Sequence, residues 1–359
     1  MPFQNVAPGF YDLQDVADRK VAEIGVGQIV DAINLSVQLH NEAVAELEAG
    51  LIERGTMFKE RYYVPAVAEL QPLSGDTDRP LPAAGRAYYD RAYPLKDAGH
   101  AWGGGRKTRA KMTVAEANDL TLAGLLADTR WRMRHILSAW LTNAEWTYED
   151  PLHGDLTVGA LANGDAVRYV DVNGDGFTDN HYLAQADPID ETHDPFPLLI
   201  DELAEHPEND NDMTPVAYIP TNLVPAVAAL PKVYNRLPAE LQEGANATRL
   251  VTEQTGSPIG EKVIGFHEDG LWLVEWKRLP ANYIPFHVPG IRFLFMREEP
   301  EAVLQGLRPE FYDDDGVTWV SALIRTAGYA ARNRIAAGVL QIGAASYTAP
   351  AAFKAPLPQ

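Results

Sequence analysis

A short acidic segment holds the residues in this chain that are best suited to chemistry. It reads Asp171-Val172-Asn173-Gly174-Asp175-Gly176-Phe177-Thr178-Asp179. Oxygen-bearing side chains stand at its positions 1, 3, 5 and 9, and a glycine at position 6 permits a sharp turn. Such a pattern suits a hard cation. It predicts a Ca²⁺ site with Asp171, Asn173, Asp175 and Asp179 as ligands.

The segment resembles the first part of an EF-hand loop but departs from it where the closing carboxylate should stand. Tyr182 occupies that position, and Asp187, Asp190 and Asp194 are candidates to complete the ligand set. The incomplete set predicts weak binding, in the ~10⁻⁴–10⁻³ M range, and a structural ion. The alternative is a tight, glycine-rich turn that carries surface acids and no metal.

A basic cluster follows the glycine run 103–105. Its members are Arg106, Lys107, Arg109 and Lys111. The segment is not a phosphate-binding loop, because it lacks the Gly-Lys-Thr order and a strand leading into it. Two interpretations are open: contact with acidic residues of a neighbouring copy of the chain, or a plain solvated loop.

No pattern in the chain predicts catalysis. Cysteine is absent, so disulfides, thiolate nucleophiles and Cys-based metal sites are excluded. The nine histidines show no His-Glu-x-x-His spacing. Neither a nucleophile elbow nor a dinucleotide-binding turn occurs. We therefore expect a protein that is not an enzyme, with no catalytic residue and with Ca²⁺ as its one candidate cofactor.

Length and composition indicate a folded chain of about two domains. The 359 residues are 46% hydrophobic and 22% charged. No apolar run approaches the ~18 residues of a membrane span, and no secretory signal stands at the N-terminus. The net charge of −20 disfavours binding to nucleic acid. It suits either the wall of a DNA container or a surface selected for solubility alone.

The order of predicted elements is distinctive. Apolar residues at helical spacing predict a helical region over 13–51, with a break at Gly25 or Gly27. Residues 54–111 are rich in proline and glycine, which predicts a long extension. Thr113 and Glu116 form a capping box that starts a long helix.

The last third of the chain carries a family resemblance. It contains Ile291-Arg292-Phe293-Leu294-Phe295-Met296-Arg297-Glu298-Glu299-Pro300 and later Gly328-Tyr329-Ala330-Ala331-Arg332-Asn333-Arg334. With the preceding elements, this order resembles that of tailed-bacteriophage major capsid proteins. The resemblance implies an α+β fold with an N-terminal arm, an extended loop, a peripheral domain with a spine helix, and an axial domain with a central sheet. The implied segments are a helical arm 1–51, an extended loop 52–112, a peripheral domain 113–195 with a spine helix 113–147, an axial domain 196–290, return strands 291–333 and a C-terminal axial part 334–359.

The resemblance also implies a function and partners. Copies of the chain would assemble as hexamers and pentamers into an icosahedral virion shell that encloses double-stranded DNA without reading its sequence. Assembly would take place in the host cytoplasm, without a membrane. A portal, a scaffolding protein and decoration proteins would be partners, and the scaffold is expected to be separate because the chain begins with the arm.

Two other functions are open. An encapsulin nanocompartment shares the fold but usually has a shorter arm and loop. A calcium-dependent oligomeric hydrolase rests only on the segment from Asp171 to Asp179.

Overall fold

A computed structural model describes residues 17–63, 88–171, 176–206, 209, 214–234, 262–312 and 318–358. The chain divides into two compact units, each assembled from segments that are distant in sequence. The first unit comprises Met1–Glu46, Leu95–Arg134 and Glu298–Gly328. The second comprises Leu47–Pro94, His135–Arg297 and Tyr329–Gln359. Helices and several sheets confirm the predicted α+β class. None of the helices in the described ranges is long and apolar enough to cross a bilayer.

The regular elements alternate along the chain. The helices are α1 (Val21–Ile24), α2 (Val26–Glu48), α3 (Arg106–Lys111), α4 (Val114–Leu141), α5 (Phe196–Ala204) and α6 (Val224–Ala228). The first strands are β1 (Ile52–Gly55), β2 (Lys59–Tyr63), β3 (Tyr88–Ala92), β4 (Lys96–Gly105), β5 (Trp146–Asp150), β6 (Gly154–Val158), β7 (Tyr169–Val170), β8 (Gly176–Phe177) and β9 (Tyr182–Gln185). The remaining strands are β10 (Val216–Ile219), β11 (Val233–Tyr234), β12 (Lys262–His267), β13 (Leu271–Glu275), β14 (Tyr283–His287), β15 (Leu294–Glu298), β16 (Leu307–Tyr312), β17 (Thr318–Ala331) and β18 (Ala337–Ile342).

The first unit packs two helices on an antiparallel sheet. Strand β17 pairs with β4 from Lys96↔Ala327 to Gly105↔Thr318, and with β16 along its other edge. The N-terminal helical region breaks at Gly25, whose φ of 107° suits glycine. One face of α2 is then buried because apolar side chains recur every four residues. The core of this unit consists of Ile29, Ile33, Val37, Met112, Val114, Ala117, Leu307 and Leu323.

The long helix α4 begins where the sequence predicts. The Thr113 backbone N–H donates to Glu116 Oε2 at 3.0 Å, and the Glu116 N–H donates to Thr113 Oγ1 at 3.2 Å. This confirms the capping box. With 28 residues the helix is about 42 Å long.

The same helix ends at Leu141, before the predicted end at 147. Its last carbonyl groups are taken up by tyrosines that are distant in sequence. Tyr347 donates to the Leu141 carbonyl at 2.6 Å, and Tyr182 donates to the Thr142 carbonyl at 2.6 Å. These bonds satisfy carbonyl groups that a helix end leaves free. Trp146 then starts β5.

The second unit is built on a seven-stranded mixed sheet. The strand order is β11-β12-β13-β10-β14-β18-β9, in which β10 pairs in parallel with β13 and β18 with β9. Helices α5 and α6 pack on this sheet. Their residues Phe196, Leu199, Leu203 and Val227 form one buried apolar cluster with residues of the strands, such as Ile284. Burying these large apolar groups is the main stabilising contribution.

Residues of the predicted extended loop form regular structure where they are described. Strand β1 pairs in parallel with β15, and β2 and β3 form an antiparallel hairpin. Residues 64–87 lie outside the described ranges. Strand β9 belongs to the seven-stranded sheet although its residues fall in the segment predicted as peripheral, 113–195. The finer domain boundaries stay predictions.

Candidate functional site

The hairpin of β2 and β3 has one charged and aromatic face directed to solvent. Side chains alternate between the two faces of a strand, and the exposed face here carries Lys59, Arg61 and Tyr63 of β2 and Tyr88 and Asp90 of β3. On the exposed face, Arg61 donates to Asp90 at 2.7 and 3.1 Å, and Lys59 Nζ lies 3.0 Å from the same carboxylate. Tyr63 and Tyr88 form a cross-strand pair with ring centroids 6.2 Å apart. The face thus presents a charged group and two paired aromatic rings to solvent.

The base of this hairpin is held by Arg332, which belongs to the Gly-Tyr-x-x-x-Asn-Arg segment. Its Nε and Nη2 donate to the two Glu60 oxygens at 2.9 and 2.8 Å, and its Nη1 donates to Glu53. The Tyr93 hydroxyl donates to Glu60 at 2.9 Å. The hydrogen bond from Arg332 is the main reason that the pKa of Glu60 lies below its ordinary value. A planar two-pronged contact of this kind fixes orientation as well as position.

A turn beside the hairpin exposes an apolar side chain. Asp150 accepts hydrogen bonds from the backbone N–H groups of Leu152 and His153 at 2.9 and 3.0 Å, and from Arg297 Nη1 at 2.7 Å. The His153 ring stacks on Phe58 with centroids 3.7 Å apart. Leu152 is thereby held with 86% of its surface exposed. We define Met57, Phe58, Leu152 and His153 as the apolar patch. Together with the exposed hairpin face it is a candidate interaction surface of the second unit.

The predicted basic cluster lies on the short helix α3 rather than on a loop. Lys107 and Lys111 are exposed. The side chains of Arg106 and Arg109 lie outside what the structure describes. Contact of this cluster with a neighbouring copy stays a prediction.

In the first unit, a buried charged network connects the arm helix, the long helix and the central strand. Arg325 of β17 donates to both oxygens of Asp128 on α4, at 2.5 and 3.0 Å. His40 Nε2 of α2 lies 2.8 Å from Asp128 Oδ2. Burial alone would raise the pKa of Asp128, but the hydrogen bonds from His40 and Arg325 outweigh it and lower the pKa. The network connects three segments that are far apart in sequence.

The predicted calcium ligands are only partly described. Asn173 and Asp175 lie outside the described residues, and Asp171 is half-buried. Asp179 is buried and its carboxylate faces imidazole groups. Tyr182 is also buried, and its hydroxyl group serves the end of α4, which explains a tyrosine where an EF-hand loop has a carboxylate. The Ca²⁺ site stays a prediction.

Asp179 instead belongs to a buried histidine–carboxylate cluster. Its Oδ2 lies 2.5 Å from His181 Nε2 and 2.9 Å from His206 Nε2, and these two nitrogens are 3.0 Å apart. Glu205 Oε1 lies 3.9 Å from His206 Nε2. The four ligand atoms lie within 4.8 Å of one another. We refer to Asp179, His181, Glu205 and His206 as the histidine cluster.

The electrostatics of the histidine cluster follow from burial and mutual contact. Burial favours the neutral form of Asp179, but hydrogen bonds from His181 and His206 outweigh it and lower the pKa of Asp179. Burial also opposes charge on His181, yet contact with Asp179 raises the pKa of His181. Nearby, burial and the adjacent Asp179 raise the pKa of Glu202 to about 7. The histidine cluster is therefore a group of polar, charged side chains, most of them buried in the second unit.

Local sequence patterns missed this cluster because its two halves are distant in the chain. Asp179 and His181 are two residues apart in an extended segment, so they share one face. Glu205 and His206 follow directly after α5. The Asp-x-His and Glu-His pairs were the available signals, but only tertiary folding brings them together.

Comparison with known proteins gives similarity at the level of structure only. No protein-family model matches the chain. No curated protein matches it either.

Solved structures resemble the chain over most of its length. A chain of Mycobacterium phage Patience is similar with a TM-score of 0.69 and 18% identity, covering 98% of this chain and 98% of that one. A chain in the capsid of the cyanophage P-SCSP1u is similar with a TM-score of 0.52 and 10% identity, covering 82% of this chain and 87% of that one. The chain thus has the phage-capsid fold, which confirms the fold predicted from the order of its elements.

Proposed function

We propose that this protein is the major capsid protein of a tailed phage, whose copies assemble into the icosahedral shell of the head. The proposal is carried by the likeness in fold to a chain of Mycobacterium phage Patience, which covers 98% of both chains, and to a chain in the capsid of the cyanophage P-SCSP1u. Fold alone does not determine function. The surfaces of this chain therefore have to support the proposal as well.

The exposed hairpin face and the apolar patch support it. Tyr63, Tyr88 and Leu152 are exposed in the single subunit, and a group of exposed large apolar side chains marks a surface that a partner can cover. The planar contact between Arg332 and Glu60 holds the hairpin to its own subunit. The outer face of a hairpin fixed in this way is free to contact a neighbouring copy of the chain.

The proposed role is structural and needs no catalysis. Copies would associate as hexamers and pentamers around double-stranded DNA in the virion, after assembly in the host cytoplasm. A net charge of −20 suits this role because an acidic protein repels the phosphate backbone and would not bind tightly to DNA that must be packed and released. A portal, a separate scaffolding protein and decoration proteins are the proposed further partners.

Assembly of the expressed protein tests the proposal. The chain should be produced alone and together with the products of neighbouring genes, then examined by light scattering and electron microscopy. We expect megadalton particles or rings of subunits under at least one condition. A protein that stays monomeric in every combination of salt, crowding agent and co-expressed gene would contradict the proposal.

A further inference from the structure

We propose that Asp179, His181 and His206, with Glu205 as a fourth ligand, bind a divalent transition-metal ion, and that Zn²⁺ is the first candidate. All four residues belong to the second unit of one chain, so the site does not depend on shell formation. The proposal therefore stands or falls separately from the proposed capsid function.

The spacing of the ligand atoms fits a metal ion. Asp179 Oδ2, His181 Nε2 and His206 Nε2 form a triangle with sides of 2.5, 2.9 and 3.0 Å. A point about 2.1 Å from all three atoms exists, well above their plane, and 2.1 Å is the usual distance from Zn²⁺ to imidazole nitrogen and carboxylate oxygen. Glu205 Oε1 lies 3.9 Å from His206 Nε2 and is the nearest candidate for a fourth ligand among the described residues.

The orientation of His181 points to the same conclusion. Its Nδ1 lies 2.8 Å from the carbonyl oxygen of Ala337, which can only accept, so Nδ1 carries a hydrogen. In the neutral ring Nε2 then carries a lone pair, and that lone pair faces the Asp179 oxygen and His206 Nε2. These three atoms are held together either by a shared proton or by a metal ion that accepts a lone pair from each of them. Donation of the second ring nitrogen to a backbone carbonyl is also how metal-binding histidines are commonly oriented.

The donor set selects the class of ion. Two imidazole nitrogens favour Zn²⁺ and related transition metals, whereas Ca²⁺ and Mg²⁺ prefer oxygen ligands alone. Two carboxyl groups, from Asp179 and Glu205, lie beside the two rings. A divalent cation would be held by these carboxylates together with the two imidazole nitrogens.

The surroundings suit a structural site with little access for solvent. The Phe177 ring stacks on His206 with centroids 5.5 Å apart, and the Tyr169 ring meets it edge-on at 5.8 Å. Both histidines are buried. A bound ion would join the segment before β9 to the end of α5, and through Ala337 to the start of β18. Because the ion would bind only the folded chain, it would stabilise the second unit by mass action.

Metal binding by the full-length chain tests the site directly. The chain is stripped with a chelator, dialysed into metal-free buffer, and titrated with Zn²⁺ in a calorimeter and with Co²⁺ in a spectrophotometer. We expect one Zn²⁺ per chain, the visible absorption of Co²⁺ with nitrogen and oxygen ligands, and a higher melting temperature with Zn²⁺ than with chelator. Absence of a stoichiometric Zn²⁺ site, or binding of Ca²⁺ alone, would overturn the proposal.

Variants distinguish the cluster from other histidines. His206→Gln should weaken Zn²⁺ binding by more than about 100-fold, since loss of an outer-shell partner alone costs 10–100-fold. His267→Gln is the matched control, because His267 is also buried and lies 2.9 Å from an aspartate, Asp194, yet belongs to no such cluster among the described residues. His193→Gln tests adventitious binding at the surface, where His193 lies near Asp187 and Asp190. Loss of the Zn²⁺ site in either control but not in His206→Gln would refute the assignment.

A measurement on the unaltered chain covers the case in which His206→Gln does not fold. X-ray absorption at the zinc edge of the loaded wild-type protein should show two imidazole ligands together with carboxylate oxygens. A zinc ion with one imidazole or none would place it elsewhere and refute the site.

Discussion

The guanidinium group of Arg325 donates two hydrogen bonds to the carboxylate of Asp128, from Nε to Oδ1 at 2.5 Å and from Nη2 to Oδ2 at 3.0 Å. The two residues are 197 positions apart in the sequence. Asn41 reinforces the same region, since its side chain accepts from Arg325 at 3.2 Å and pairs with both backbone groups of Leu307. This network connects the helices and the central strand of the first unit within a buried environment.

Removing the Asp128 carboxylate should destabilise the first unit strongly. Asp128→Ala leaves Arg325 buried without its main partner, and the loss of one member of a buried ion pair costs about 3–5 kcal/mol. Chemical denaturation followed by circular dichroism measures the change. Asp119→Ala is the control, because Asp119 is exposed on the same helix and should shift stability by no more than about 0.5 kcal/mol. Equal effects of the two substitutions would contradict the importance of the network.

Acid should destabilise the second unit through Asp150. Burial works to raise the pKa of Asp150, but Arg297 and two backbone N–H groups outweigh it and lower the pKa. A carboxyl group with a lowered folded-state pKa stabilises the fold above its unfolded-state value of ~3.9, and this contribution is lost as the pH falls through the folded-state value. Urea midpoints measured from pH 7 down to pH 3 should therefore fall at the acid end. Asp150→Asn should show a shallower fall, and an identical slope would contradict the assignment.

Features set by neighbouring residues could be predicted from the sequence. The capping box of Thr113 and Glu116 needs only a spacing of three residues, and the helix break at Gly25 needs only one residue with a positive φ. The α+β class was implied by the family resemblance, which the order of such local signals carries. Each of these features depends on chain segments a few residues long.

Features that depend on distant contacts could not be predicted. The Tyr347 hydroxyl group binds the carbonyl of Leu141, the last residue of α4, from 206 positions away in the sequence. Apolar spacing that continues to Trp146 therefore predicts a helix that is too long. In the sequence, Asp179 fits a loop that binds Ca²⁺ through oxygen ligands. Folding instead places it beside His206, which lies 27 positions later in the chain. Local spacing predicts which groups share a face, but only tertiary packing determines which faces meet.

The planar contact of Arg332 predicts that arginine cannot be replaced there by lysine. Arg332→Lys keeps the charge but loses the two-pronged contact with Glu60, since an ammonium group is a single point of contact. We expect a loss of about 1–3 kcal/mol in the free energy of unfolding, because hydrogen bonds to charged groups contribute about that much. Guanidinium denaturation checks the value. Arg278→Lys, at an exposed turn, should be neutral, and a neutral Arg332→Lys would count against the anchoring role.

The basic cluster should affect assembly and not folding. Lys107 and Lys111 are exposed on α3, so Lys107→Glu with Lys111→Glu should leave the helix content and melting of the single subunit unchanged. If the cluster meets acidic residues of a neighbouring copy, the doubly substituted protein should form fewer particles at low salt. A single exposed ion pair contributes only ~0–1 kcal/mol, so the effect arises from repetition over many contacts. Unchanged particle yield by light scattering would identify the helix as solvated.

The apolar patch gives the sharpest test of where subunits meet. Leu152 is 86% exposed and is held in place by the turn around Asp150. Leu152→Ser should therefore leave subunit stability within about 0.5 kcal/mol of wild type. In a shell, the substitution would remove a buried side chain that contributes ~1.5–3 kcal/mol at every copy of the contact. It would therefore raise the protein concentration needed for assembly.

Val303→Ser is the matched comparison, because Val303 is 79% exposed in the first unit. The assembly threshold by light scattering should rise for Leu152→Ser and stay near wild type for Val303→Ser. Equal increases of the threshold in the two variants would mean that any exposed apolar side chain has this effect, whatever its position. An unchanged threshold for Leu152→Ser would exclude the apolar patch as a contact between subunits.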